Sequence, residues 1–172
     1  MKNAKRVAPV DGDRQPTERA VCRVNLGRGA VCSDVVYTRR HHLDTSGQGD
    51  VHDLTGAAAG VVRESGFAEG SLVAFVVGST AAITTIELEP GAVADLNALL
   101  DRLAPRDGAY AHHLRWGDDN GSSHVRAALI GPSVTIPFSG GSLALGIWQQ
   151  LVLLECDTRA RQREVVFQVH GG

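Results

Sequence analysis

The chain is poor in sulfur and has no surplus of either charge. Its three cysteines (Cys22, Cys32, Cys156) are scattered and odd in number, which argues against a disulfide framework. Cys22 and Cys32 could pair, but the expectation is small apolar residues in a reduced, cytoplasmic protein. A formal net charge of -2 gives no broad pull toward nucleic acid or an anionic membrane. The sequence also lacks a basic, aromatic-interleaved face of the kind that binds single strands. No apolar run approaches the roughly 20 residues needed to span a bilayer. The first twenty residues carry charges but no apolar core of a secretory signal. No repeat of solenoid period is present.

What remains is ordinary globular composition, 43% hydrophobic and 21% charged, with 20 glycines that imply many turns. A length of 172 residues suits one domain with a real core. Residues 1–20 are polar, contain proline and show no periodicity, so they are expected as a tail ahead of a single domain over 21–172.

Several elements can be placed. Residues 21–37 are strand-like but broken by Gly27-Arg28-Gly29, and a polar segment with His41 and His42 runs on to the loop Ser46-Gly47-Gln48-Gly49. Asp53 or Thr55 can cap a helix whose face is Leu54, Ala58, Val61 and Val62, with Gly66 ending it. Residues 72–77 and 82–88 read as buried strands, the second rich in β-branched side chains. Pro90-Gly91 starts a second helix with Val93, Leu96, Leu100 and Leu103 on one stripe, stopped by Pro105. The runs 125–130, 133–138, 143–155 and 164–170 are expected as consecutive strands, with Gly140-Gly141 as a hairpin turn. That order predicts an α+β domain.

The chemistry concentrates in residues 110–126, YAHHLRWGDDNGSSHVR, expected as a loop with three of the seven histidines. Imidazoles and carboxylates gathered there suit proton transfer or metal ligation. His112 and His124 match no zinc-finger or H-E-x-x-H spacing, so a metal needs a third donor from His113, Asp118, Glu87 or a neighbouring subunit. Asp118-Asp119-Asn120 before Gly121 looks like a calcium loop but lacks the ligand spacing and closing Glu of an EF-hand. Asp119 reads as a solvated turn. Glu87, at the end of an apolar strand, must be paired, shifted or reaching solvent. Gly78-Ser79-Thr80 could offer backbone N–H groups to an anion, but Walker and Rossmann patterns are missing. Arg126 is an available phosphate ligand, whereas Arg159, Arg161 and Arg163 read as a solvated hairpin. Gln149, polar inside an apolar stretch, either orients a ligand or satisfies a subunit interface.

Four segments resemble the YjbQ-like family: GSTAAITTIELEPG (residues 78–91), Y-x-H (residues 110–112), WGDDNGSSHVRAALIGPSVTIPF (residues 116–138) and LALGIWQQLVLLECDTRARQREVVFQVHG (residues 143–171). The G-x-W-Q at residues 146–149 is the most specific. The resemblance implies a YjbQ-like two-sheet β-sandwich with two helices, assembled as a homotrimer. It also implies a weak thiamine-phosphate synthase activity, in which a pyrimidine methyl diphosphate joins a thiazole phosphate and pyrophosphate leaves, with a divalent metal (Zn or Mg) as cofactor. Carried onto this chain, it implies Glu87, Asp118 and His124 as catalytic residues. Asn120, Arg126 and Gln149 would bind a small phosphorylated substrate, and His112 and His124 a metal, at a subunit boundary. Two positions depart from the pattern: many relatives have His where Gly78 stands, and Ser122 replaces the first His of an N-G-H-S-H sequence. They leave open the alternative of a non-catalytic metal- or ligand-binding trimeric scaffold.

Overall fold

The computed structural model describes residues 19–23 and 33–172. Thirteen elements follow in order: β1 (Arg19–Arg23), β2 (Ser33–Thr45), β3 (Val51–Asp53), α1 (Thr55–Ser65), β4 (Glu69–Val77), β5 (Ala81–Ile86), α2 (Pro90–Leu103), α3 (Ala111–Trp116), α4 (Gly121–Ile130), β6 (Ser133–Ser139), β7 (Ser142–Leu143), β8 (Gln150–Glu155) and β9 (Arg161–Gly171). Of the tail expected over 1–20, residues 1–18 lie outside the described residues, as does Cys32, while Arg19 and Ala20 open β1. No helix among the described residues is long and apolar enough to cross a membrane.

The strands form two antiparallel sheets, one of order β1-β2-β9-β4-β6-β7 and one of order β3-β8-β5. Strand alternation builds the interface between them. Leu72, Ala74 and Val76 of β4 and Val165, Phe167 and Val169 of β9 face Ile83 of β5 and Leu151 and Leu153 of β8, all fully or almost fully buried. β8 is apolar on both faces because a second core lies behind it. There Leu154, Ala82 and Cys156 meet Leu100 of α2 and Ala127 of α4. The result is a large sheet, a small sheet and, behind the small sheet, α2 and α4, while Ala58, Val61 and Val62 of α1 join the core between the sheets.

Local sequence explains most of the boundaries. The α1 face is Ala58, Val61 and Val62 as expected; Asp53 Oδ1 accepts from Thr55 N–H at 2.8 Å, and Gly66 ends the helix at φ 74°. Pro90 opens α2 with the Glu89 carboxylate accepting from the Gly91 and Ala92 N–H groups. Gly140 and Gly141, both at positive φ, turn β6 into β7.

Three expectations are corrected. Among the described residues four helices are present, not two: residues 110–126 are not one loop but α3, a turn and the start of α4, and 125–130 is helix rather than strand. The run 143–155 is two strands split by a turn in which Gln149 N–H bonds Gly146 O at 2.9 Å. Arg163 is not in a solvated hairpin but 6% exposed in the core.

Candidate functional site

α3 and α4 meet at the turn 117–120, and glycine makes the junction possible. Gly117 takes φ 69° and returns its N–H to His113 O, ending α3. Gly121, the first residue of α4, has no room for a side chain: an added Cβ would overlap Tyr110 Cβ and sit 2.7 Å from Tyr110 Cγ and 2.9 Å from His113 Nε2. Its N–H donates to His113 Nε2 at 3.1 Å, so His113 acts as a cap for α4 from outside the helix. With that nitrogen accepting, the ring carries its proton on Nδ1. His113 therefore supports the turn rather than standing in as a third ligand.

The turn brings His112 and His124 together, with ring centroids 4.4 Å apart and planes inclined by 51°. Asp118 Oδ1 lies 3.5 Å from His112 Nε2, an electrostatic contact too long for a good hydrogen bond. Three buried side-chain oxygens among the described residues lack any hydrogen-bond partner: Asp118 Oδ1, Asn120 Oδ1 and Ser123 Oγ. All fall within six consecutive positions. An open depression of about 440 Å³ is lined by Ala109, Tyr110, Ala111, His113 and Leu114, and neither His112, His124 nor Asp118 contributes to it. Among the described residues, no three His, Cys, Asp or Glu side chains are placed to hold a metal ion. The chain alone offers a transition metal the two imidazoles and one neighbouring carboxylate, not a closed set.

The other predicted site residues sit elsewhere or are already engaged. Arg126 is 2% exposed; its Nε and Nη2 donate to Ala104 O at 2.9 and 2.7 Å, and Nη2 also reaches Asp101 at 2.6 Å. It thereby closes the C-terminal end of α2 and ties α4 to it. Gln149 is exposed, its amide accepting from Gly146 N–H at 3.1 Å and donating to Thr85 Oγ1 at 3.0 Å. Glu87 stands exposed just past the end of β5. Ser122 is fully buried on the opposite side of the turn, its hydroxyl accepting from Gln48 Nε2 at 3.4 Å, and Gln48 in turn bonds Cys156 O at 3.1 Å. That side chain packs toward the loop between β2 and β3.

Sequence reasoning missed a buried charge network beneath the Gly78-Ser79-Thr80 turn. Glu155 and Asp157 are 1% and 2% exposed. Arg163 spans Glu155 with two hydrogen bonds and donates to Thr80 O at 3.1 Å and Thr80 Oγ1 at 2.9 Å. Thr45 Oγ1 donates to Glu155 at 2.7 Å, and Arg161 pairs with Asp157 at 3.0 Å. Burial works against the Asp157 charge, but Arg161, Thr80 and the Arg159 N–H outweigh it and hold the carboxyl below its ordinary range. Burial, followed by the Glu155 charge, pushes the neighbouring Cys156 thiol up to about 12, which makes it unreactive. The one available signal was an acid pair closing an apolar run.

Residues 39–172 match the family described as UPF0047 protein YjbQ-like. A UPF0047 protein of Methanothermobacter thermautotrophicus is 37% identical over 136 residues, 79% of this chain and 93% of that relative. A UPF0047 protein of Synechocystis is 34% identical over 122 residues, 70% of this chain and 83% of the relative. Among solved structures, a YbjQ-like protein of unknown function from Sulfolobus solfataricus superposes with a TM-score of 0.76 at 29% identity, covering 80% of this chain and 98% of its own. A conserved protein of the YjbQ/UPF0047 family from Clostridium acetobutylicum gives 0.69 at 32% identity, covering 76% and 98%. By sequence over most of its length and by fold, the chain belongs to the YjbQ-like family, UPF0047.

Proposed function

We propose that this protein is a cytoplasmic, trimeric transferase of the thiamine-phosphate synthase type, working at the His112–His124–Asp118 group. The observation that carries the reading is the imidazole pair: two histidines twelve positions apart are held 4.4 Å apart beside a carboxylate. In the reaction the thiazole nitrogen bonds the pyrimidine methylene carbon as its bond to the diphosphate oxygen breaks. The protein must orient two flat, phosphorylated partners and stabilise the departing pyrophosphate. His112 and His124 hold either that anion directly or the metal ion that neutralises it. Asp118 orients His112, and Asn120 faces the substrate. A divalent ion, when bound, would neutralise diphosphate charge, with His112 and His124 as its ligands from this chain. Arg126 acts from behind by fixing α4 to α2, and Gln149 shapes the 146–149 turn.

Assembly has support in exposed apolar side chains. Ile147 and Trp148, inside the G-x-W-Q element, are 83% and 68% exposed, and a soluble protein covers such groups with a partner. Glu87 would join the site across that boundary. A scaffold without catalysis is the second reading, favoured because Arg126 and Gln149 spend their polar groups on the fold. A thiamine-phosphate synthase assay decides between them. His124→Ala and Glu87→Ala variants, shown by light scattering to be trimers, should each lose more than about tenfold in rate. Full activity in both ends the transferase reading.

A further inference from the structure

We propose that the cavity between β2 and α1 binds a small carboxylate, a monoanion with a short apolar body. The cavity measures about 290 Å³ and shares no residue with the His112–His124–Asp118 group. Strand alternation builds its cationic wall. Arg39 and His41, two apart on β2, turn the same face toward α1, while Arg40 between them pairs with Glu164. Ala57, Gly60 and Val61 of α1 and Phe167 of β9 complete the lining.

The Arg39 guanidinium is held in place but only partly used. Its Nε donates to Glu64 Oε2 at 2.9 Å, Tyr37 Oη donates to the same oxygen at 3.0 Å, and Arg39 Cζ lies 5.3 Å over the Tyr37 ring. Among the described residues neither Nη group donates a hydrogen bond, and together they form the end of the fork that grips a planar carboxylate with two parallel bonds. His41 makes a ring contact with Phe167, centroids 6.2 Å apart, and no hydrogen bond or ion pair among the described residues. A second guanidinium stands near, since Arg63 Nη2 would lie 3.9 Å from a Cβ at Gly60. Two guanidinium groups thus surround one carboxylate, which leaves room for a single negative charge. Glu64 repels a dianion twice as strongly as a monoanion, which disfavours phosphate.

Gly60 is the residue that packing does not explain. Glycine is a poor helix former, and it sits here in the middle of α1. Apart from that Arg63 nitrogen, nothing comes within 4 Å of a Cβ placed on it, so no neighbour demands the missing side chain. What the glycine preserves is the open space of the cavity that it lines. The apolar body of the ligand rests there, against Ala57 and Val61.

The proposal does not depend on the transferase reading. The full chain is titrated with isovalerate and followed by amide shifts in NMR, with the neutral amide of isovalerate and inorganic phosphate as parallel probes. Isovalerate should saturate one site per chain with Kd about 10⁻³ M, a weak value set by its few atoms, and the largest shifts should fall at Arg39, His41 and Gly60. The neutral amide and phosphate should each bind about tenfold more weakly or worse. Gly60→Leu fills the cavity and keeps every charge, so it should hold or raise Tm and yet abolish binding. Arg39→Gln should weaken binding about tenfold or more. A His112→Gln/His124→Gln variant should bind isovalerate as wild type does, even where it has lost transferase activity. The proposal is overturned if isovalerate gives no saturating shifts at these residues about 20-fold above the expected Kd. Equal binding of the amide or of phosphate overturns it, as does unchanged binding in folded Gly60→Leu or Arg39→Gln, or loss of binding in the histidine variant.

Discussion

Replacing Arg163 by Met tests whether the buried charge network holds the small sheet to the large one. The substitution keeps most of the side-chain volume and removes the guanidinium. It leaves Glu155, 1% exposed, with Thr45 Oγ1 and the Asp157 N–H but no counter-charge, and it strips Thr80 O and Oγ1 of a shared donor. Breaking one side of a buried ion pair costs about 3–5 kcal/mol, against a total stability of about 5–15 kcal/mol. At about 2–4 °C per kcal/mol for a chain of this size, Tm should fall by roughly 6–20 °C in a calorimetric or circular-dichroism melt. The companion measurement is the double variant Arg163→Met/Glu155→Met. With both charges gone no buried ion is left without its counter-charge, although Thr45, Thr80 and the Asp157 N–H each lose a partner, so part of the loss should return, giving a coupling of at least about 2 kcal/mol in the double-mutant cycle. A single variant that melts within about 2 °C of wild type would refute the argument, because Glu155 would then be satisfied without Arg163.

Gly121→Ala should destabilise by about 1–3 kcal/mol, read by urea unfolding, because the new methyl group overlaps Tyr110 and crowds the His113 nitrogen that caps α4. Arg126→Met should cost about 1–3 kcal/mol and raise amide exchange at the end of α2, since Ala104 O loses both of its donors. If only the rate of catalysis changes and α2 protection stays, Arg126 is a ligand group instead. Acid should expose Asp157: its carboxyl titrates lower in the fold than in the unfolded chain. The stability it supplies is therefore present above about pH 3.9 and lost as pH falls through the depressed native value. Asp157→Asn should flatten that part of the stability profile, and an unchanged profile would rule the group out.

Where apolar side chains recur at the spacing of the element they build, the fold could be read directly. β4, α1 and the Gly140-Gly141 hairpin show this, because in each the buried positions are the periodic ones. α4 hides for the opposite reason: Val125 and Leu129 are exposed while Ser122, Ser123 and Arg126 are buried, so its polarity runs backwards and VRAALI reads as a strand. α2 shows the same effect mildly, with Leu103 of its apolar stripe 60% exposed and Leu100 buried. For the site, spacing could nominate His112 and His124 but could not show that a helical junction brings their rings together. Nor could it show that His113 and Arg126 serve the backbone. Arg163 was misread because its partners are 8 and 83 positions away, and only a folded chain puts a cation from a charged turn against Glu155 and Thr80.

β8 has a consequence for how the molecule comes into being. Its partners β3 and β5 are synthesised long before it, and Ile83 on β5 pairs with Leu153, 70 residues later. Until β8 leaves the ribosome those two strands have no partner in their sheet, and Leu100 and Ala127 have only Ala82 of their core, without Leu154 and Cys156. The small sheet and the core behind it are thus completed late, by a slow, long-range closure rather than stepwise growth from the N-terminus.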